Sequence, residues 1–284
     1  MITSLFSNIS SRIKIIIINQ LSVLISLPYI ANSLGLENFG LLSISLIIIQ
    51  LCFTVTEWGF GFYSIEKIKE LKNDNYHGIN TLLSSIYFAK IIFITIIFPV
   101  IIILYLTNLL PTFSFNILLL TMLGIFFASL NPLWFYQAIN KTEQLVLPTI
   151  ISRMIYLIII FTLVNYENDY LIAIFAQVIY LGIASIFPIF QIYKLGYNFI
   201  KFDYSSSKKL LLETKNYFIA SVIQNQTHLI LGFLLTFFSN PIQIGLFNIA
   251  DQLLRAGNAF INIIPESILT FSRNNISNRF IKNG

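Results

Sequence analysis

The chain has 284 residues, of which 56% are hydrophobic and only 10% are charged, against about 25% charged in an average soluble domain. At this length a water-soluble fold cannot hide so much apolar surface. The net charge of +5 invites nucleic acid as a partner, but the basic residues flank long apolar runs and no base-reading motif accompanies them. Cys52 is the single cysteine, which excludes an internal disulfide and argues against a zinc cluster.

The N-terminal stretch "MITSLFSNISSRIKIIII" has no small-residue cleavage site after its apolar run. It predicts a short cytosolic tail leading into a retained first helix, not a removed signal peptide. A spanning helix needs about 20 mostly apolar residues. Eight segments meet that demand: 13–33, 41–63, 79–106, 115–139, 144–165, 170–193, 217–238 and 244–271. They predict an all-α, polytopic membrane protein with about eight transmembrane helices. The runs are too long for strands and lack the alternation of a membrane barrel.

The connecting loops sort by charge. Arg12 and Lys14 precede the first span, and Lys67, Lys69 and Lys72 follow the second. Lys141 follows the fourth, and Lys194, Lys201, Lys208, Lys209 and Lys215 lie between the sixth and the seventh. Arg273, Arg279 and Lys282 come after the eighth. The other four loops, "GLENFG", "TNLLPTFS", "NYEND" and "SNPIQ", contain no Lys or Arg. By the positive-inside rule the fourteen basic flanks are cytoplasmic, and both termini with them. Trp58 and Trp134 then fall near the cytoplasmic ends of their spans, as an aromatic belt requires. Such a basic face attracts anionic lipid headgroups, at about 1 kcal/mol per residue.

Two stretches repeat. Asn19-Gln20 is followed after nineteen residues by Gly40-Leu41, and Asn225-Gln226 after eighteen by Gly245-Leu246. Chance among low-complexity helices is one explanation. Internal duplication is the other, and an offset of six spans makes the repeats parallel. On that second explanation residues 1–200 form a first six-helix bundle, and residues 201–284 supply the first two helices of a second.

Three cations remain inside spans: Lys90, Arg153 and Arg255. A charge at the bilayer centre costs at least about 2.5–3.5 kcal/mol, so it faces a partner or a wet cavity. Lys90 has a third option, since its long stem can snorkel to the interface. Asp251 and Arg255 have i, i+4 spacing and share one helix face. They form either a self-satisfied pair holding helices together or a cavity wall that offers Arg255 to an anion. Glu57 adjoins Trp58 and reads as interfacial. Amides within spans, among them Asn19, Gln20, Asn225 and Gln226, must find another helix, water or a ligand. No histidine has metal-ligand spacing, and no phosphate-binding loop is present.

Four stretches, in order along the chain, resemble one family. "LPYIANSLGLENFGLLS" (27–43), "EWGFGFYSIEKI" (57–68), "NPLWFYQAINK" (131–141) and "GLFNIADQLLRAGNAFINIIP" (245–265) are similar to Wzx-type O-antigen and polysaccharide flippases. These belong to the multidrug/oligosaccharidyl-lipid/polysaccharide exporter superfamily. The resemblance implies two six-helix bundles around a cavity that opens alternately to each side. It implies movement of undecaprenyl-diphosphate-linked oligosaccharide, an O-antigen or capsule repeat unit, across the bacterial cytoplasmic membrane without enzymatic chemistry. No cofactor is implied, and proton or sodium coupling through Glu57 or Asp251 stays open. The implied partners are the lipid-linked oligosaccharide, membrane lipids and other polysaccharide-assembly proteins, with no nucleic acid. The substrate-facing set is Lys90, Arg153, Arg255, Asp251, Glu57, Asn19, Gln20, Asn225 and Gln226. Family members have at least twelve spans against eight here, which makes a truncated chain the expectation. The rival readings are an integral-membrane glycosyl- or acyltransferase acting on lipid-linked sugars, and a drug or ion exporter of the same superfamily. Cysteine labelling tests the topology: a probe at Glu167 should react with an impermeant reagent from outside intact cells, and labelling only after lysis would overturn the assignment.

Overall fold

The computed structural model describes residues 2–71, 75–110, 113–200, 204–225, 227–259 and 261. The helices are α1 (Ile2–Glu57), α2 (Phe60–Leu71), α3 (Tyr76–Leu106), α4 (Phe115–Ser129), α5 (Leu133–Ala138), α6 (Val146–Leu163), α7 (Tyr170–Lys194), α8 (Tyr204–Asn225) and α9 (Thr227–Phe238). A tenth, α10, runs over 241–259. There is no strand among the described residues. Five helical stretches are long and apolar enough to cross a membrane, and a sixth follows if Ser207–Ile223 and Thr227–Phe238 form one span. This is a multi-pass, all-α membrane protein.

The first of the five, Ser10–Leu71, has 62 residues and holds two of the eight expected spans. As a straight helix it would reach about 93 Å at 1.5 Å per residue, three times the hydrocarbon thickness. It folds back instead. Gly35 leaves the helix with φ 69° and ψ 164°, a conformation that a residue without a Cβ adopts at little cost. Asn19 and Gln20 before it and Gln50 after it line one cavity, which a continuous helix could not bring together. The eighth expected span is helical over 241–259, but Asp251, Arg255 and its amides interrupt its apolar face.

The loops group at two ends. The reversal at Gly35 sits against the 165–169 turn. Asn38 donates to the Glu167 carbonyl at 2.9 Å, and Tyr29 donates to Asn165 Oδ1 at 3.3 Å. Leu34, Phe39, Leu110, Phe113, Val164 and Ile244 share one buried cluster, so all four loops without Lys or Arg converge there. A second cluster gathers Phe60, Ile68, Ile79, Trp134, Tyr136, Leu145, Ile192, Tyr197 and Leu210 around the described basic loops. Segregation of charge along the sequence thus becomes segregation in space. At this second end α1 and α2 break at Trp58, with φ 41°, and Gly59, with φ 75°. Trp58 stacks on Phe218 at 4.2 Å, and its indole N–H donates to the Leu211 carbonyl at 3.2 Å.

The two glycines of the sequence repeat meet. A Cβ on Gly40 would overlap the Pro241 carbonyl, and one on Gly245 would lie 3.3 Å from the Gly40 Cα. Three residues past each glycine, Asn248 donates to Ser43 Oγ at 2.8 Å. Equivalent positions of the two stretches therefore touch each other. Gly40→Ala should lower stability by about 1–3 kcal/mol through overpacking, whereas Gly257→Ala, with nothing within 4 Å of its Cβ, should not. Thermal unfolding in detergent measures both, and equal melting of the Gly40→Ala variant and the wild type would refute the close contact.

Candidate functional site

A cavity of about 370 Å³ lies between the two arms of α1 and helices α6, α7 and α10. Its polar lining comes at helical spacing. Arg153 and Tyr156 are three apart on α6, and Gln177 and Tyr180 are three apart on α7. Asn248, Asp251, Gln252 and Arg255 on α10 follow the i, i+3, i+4, i+7 pattern of a single face. Asn19, Gln20 and Gln50 from α1 and Asn131 from the α4–α5 junction complete the polar wall. Seven amides therefore face one space inside a chain in which 56% of the residues are hydrophobic. Amides offer both donors and acceptors, and in hydrocarbon they face water or a polar ligand when no neighbouring helix satisfies them.

Two cations and one carboxylate line this space. Asp251 Oδ2 lies 3.0 Å from Arg255 Nε as an i, i+4 ion pair. The Nε–H does not aim at that oxygen and has no hydrogen-bond partner among the described residues. The pair is thus electrostatically matched and imperfectly bonded. Arg153 is different. It is only 8% exposed, yet its partner is an amide: Nε donates to Asn19 Oδ1 at 2.7 Å. Its guanidinium carbon sits 3.6 Å from the centre of the Tyr180 ring and 5.7 Å from that of Tyr156. A desolvated cation over an aromatic face gains about 2 kcal/mol. That softens the burial but leaves the charge without a carboxylate among the described residues.

Lys90 and Glu57 do not line the cavity. Lys90 is fully buried and forms an ion pair with Glu57, whose side chain keeps 23% exposure. Its Nζ also lies 5.9 Å from the ring centres of both Tyr87 and Trp134. Lys90 neither snorkels nor faces a wet space. The break at Trp58 brings a carboxylate to it, which sequence spacing of 33 residues could not reveal. Asn19, Gln20, Arg153, Asp251 and Arg255 do come together at the cavity. Gln226 and the side chain of Asn225 lie outside the described residues. Sequence reasoning passed over Gln50, Gln177, Asn248 and Gln252, although the rule that singled out Asn19 applies equally to them. It also passed over Tyr156 and Tyr180, which carry no polar signal among fourteen tyrosines.

The model of the polysaccharide biosynthesis protein family matches residues 5–271, which include every element of the cavity. The chain belongs to that family. A "Putative O-antigen transporter" of Escherichia coli K12 is 25% identical over 257 residues, covering 88% of this chain and 60% of its own length. A protein with the same name from Shigella dysenteriae is 24% identical over 253 residues, covering 88% of this chain and 63% of its own. Both names are those of transporters. The chain spans less than two thirds of the length of either relative, and no solved structure matches it.

In this family member the in-span ionic groups thus divide into the Lys90–Glu57 pair and a cavity set. Lys90→Met should orphan Glu57 and cost about 3 kcal/mol, the lower end for breaking a buried pair. The double variant Lys90→Met/Glu57→Gln should recover at least half of that loss in detergent unfolding. A Lys90→Met protein as stable as the wild type would dismiss the structural role.

Proposed function

We propose that the chain acts in a flippase that moves an undecaprenyl-diphosphate-linked oligosaccharide, an O-antigen or capsule repeat unit, from the inner to the outer leaflet of the bacterial cytoplasmic membrane. The observation that carries this reading is Arg153, which lines an amide-rich cavity without a carboxylate partner among the described residues. A diphosphate entering there supplies the missing anion, and its own desolvation cost falls as the guanidinium's does. The amides from α1, α4–α5, α7 and α10 suit the hydroxyls of the attached sugars. The lipid tail stays in the bilayer. Arg255 is a second cationic contact, reached when the diphosphate displaces Asp251.

Family membership and the transporter names of the two relatives support the same reading. On it the basic loops face the cytoplasm, residues 1–200 form one bundle, and residues 201–284 open a second. The meeting of Gly40 with Gly245 and of Ser43 with Asn248 suits two parallel repeats about an axis along the membrane normal. A transferase acting on similar lipids is less well supported. Asp251 is the single carboxylate among the lining residues and is engaged with Arg255, so no acid–base pair is assembled there.

Reconstitution tests the proposal. Proteoliposomes holding the full chain should expose a fluorescent undecaprenyl-diphosphate oligosaccharide to an outside quencher faster than protein-free liposomes do. Arg153→Gln should slow that exposure at least tenfold. Exposure no faster than in empty liposomes would reject the flippase reading.

A further inference from the structure

The way Arg153 is held points to a second layer of the same site. Three facts define it. The Nε–H is spent on Asn19 Oδ1 at 2.7 Å. The Tyr180 hydroxyl donates to that same oxygen at 3.3 Å. The guanidinium carbon lies over the Tyr180 ring, 3.6 Å from its centre. One amide oxygen therefore ties together an arginine from α6, a tyrosine from α7 and the first arm of α1. With one face on the ring and one edge on the amide, the guanidinium has little freedom left to rotate. Its two terminal nitrogens have no hydrogen bond to any described residue, and the side chain borders the cavity.

The chemistry at position 19 is telling. A buried arginine is ordinarily matched by a carboxylate, and Lys90 and Arg255 each have one. Aspartate is the same size as asparagine and would offer Arg153 an oxygen at the same place. The chain carries the neutral amide instead. Asn19 fixes the guanidinium's position without cancelling its charge, so the positive charge remains available to a ligand.

We propose that Asn19 and Tyr180 are positioning residues that hold Arg153 as a pre-oriented, uncompensated anion anchor, and that the neutrality of residue 19 sets the cavity's preference for a diphosphate over an uncharged headgroup. This rests on the flippase reading and goes one step further, since it assigns the selectivity to groups that need not touch the substrate. The terminal nitrogens of an arginine tethered through Nε present a fork that accepts two oxygens of one phosphate group. Pre-orientation lowers the ordering cost that binding would otherwise carry.

The test uses the full purified chain in nanodiscs, with farnesyl diphosphate as the charged probe and farnesol as the uncharged one, and reads the dissociation constant and the melting temperature together. Asn19→Asp should weaken farnesyl diphosphate at least tenfold, leave farnesol within twofold, and keep or raise the melting temperature. A residue with a merely structural role would not separate those readouts. Tyr180→Leu removes the ring and should weaken the diphosphate three- to tenfold, while Tyr180→Phe keeps the stacking and should stay within threefold of wild type. Should Asn19→Asp fail to fold, the Tyr180 pair still decides. If Asn19→Asp, or Tyr180→Leu, binds the diphosphate as tightly as wild type while Arg153→Gln does not, the positioning proposal is overturned and the flippase reading stands. If Arg153→Gln also binds normally, the cavity reading itself fails.

Discussion

A cation carried into hydrocarbon must find a counter-charge, a dipole or water, and the three cations within the spans meet that demand differently. Lys90 takes a carboxylate from the end of α1. Arg255 takes one from its own helix, four residues back. Arg153 takes an amide and an aromatic face. The first solution is internally complete and closes off a packed region. The second is complete in charge but poor in hydrogen-bond geometry. The third leaves a net charge at a cavity wall, and the proposed function rests on that difference.

The cavity depends on where the backbone turns. Gly35 ends the first arm of α1 at the same level as the 165–169 turn, so Asn19 and Gln50 come to face each other across one space. A β-carbon at Gly35 would meet only the flexible Glu167 side chain at 3.7 Å; the left-handed φ, not crowding, is what selects glycine. At Gly40 the reasoning runs the other way. The backbone there is helical, and the selection comes from the approach of Pro241 and Gly245. Two glycines five residues apart thus serve different physical ends, one torsional and one steric.

The second end of the molecule is built on aromatic packing. Trp58, held between Phe93 at 5.0 Å and Phe218 at 4.2 Å, joins the α1–α2 break to α3 and α8. Reciprocal bonds reinforce it, with the Tyr63 hydroxyl donating to Glu213 and the Tyr217 hydroxyl to Glu66, both at 2.5 Å. The adjacent carboxylate of Glu57 is thereby aimed at Lys90, so the same local break that bends the chain also neutralises a fully buried charge.

Much of the fold was legible from the residues. Long apolar runs bounded by lysines dictate membrane helices, because an unpaired backbone group in lipid is too costly for any other open structure. The i, i+4 spacing of Asp251 and Arg255 placed them on one helix face, because helical neighbours are fixed by the local screw, and left open whether they pair or offer Arg255 to an anion. Tertiary structure alone decided which in-span groups share the cavity. Lys90 and Glu57 are 33 residues apart, Asn19 and Arg153 are 134 apart, and Tyr180 is 27 residues beyond Arg153. Sequence pattern reports the phase of one helix with respect to itself, and the facing of one helix toward another is set by packing, by the reversal at Gly35 and by the break at Trp58.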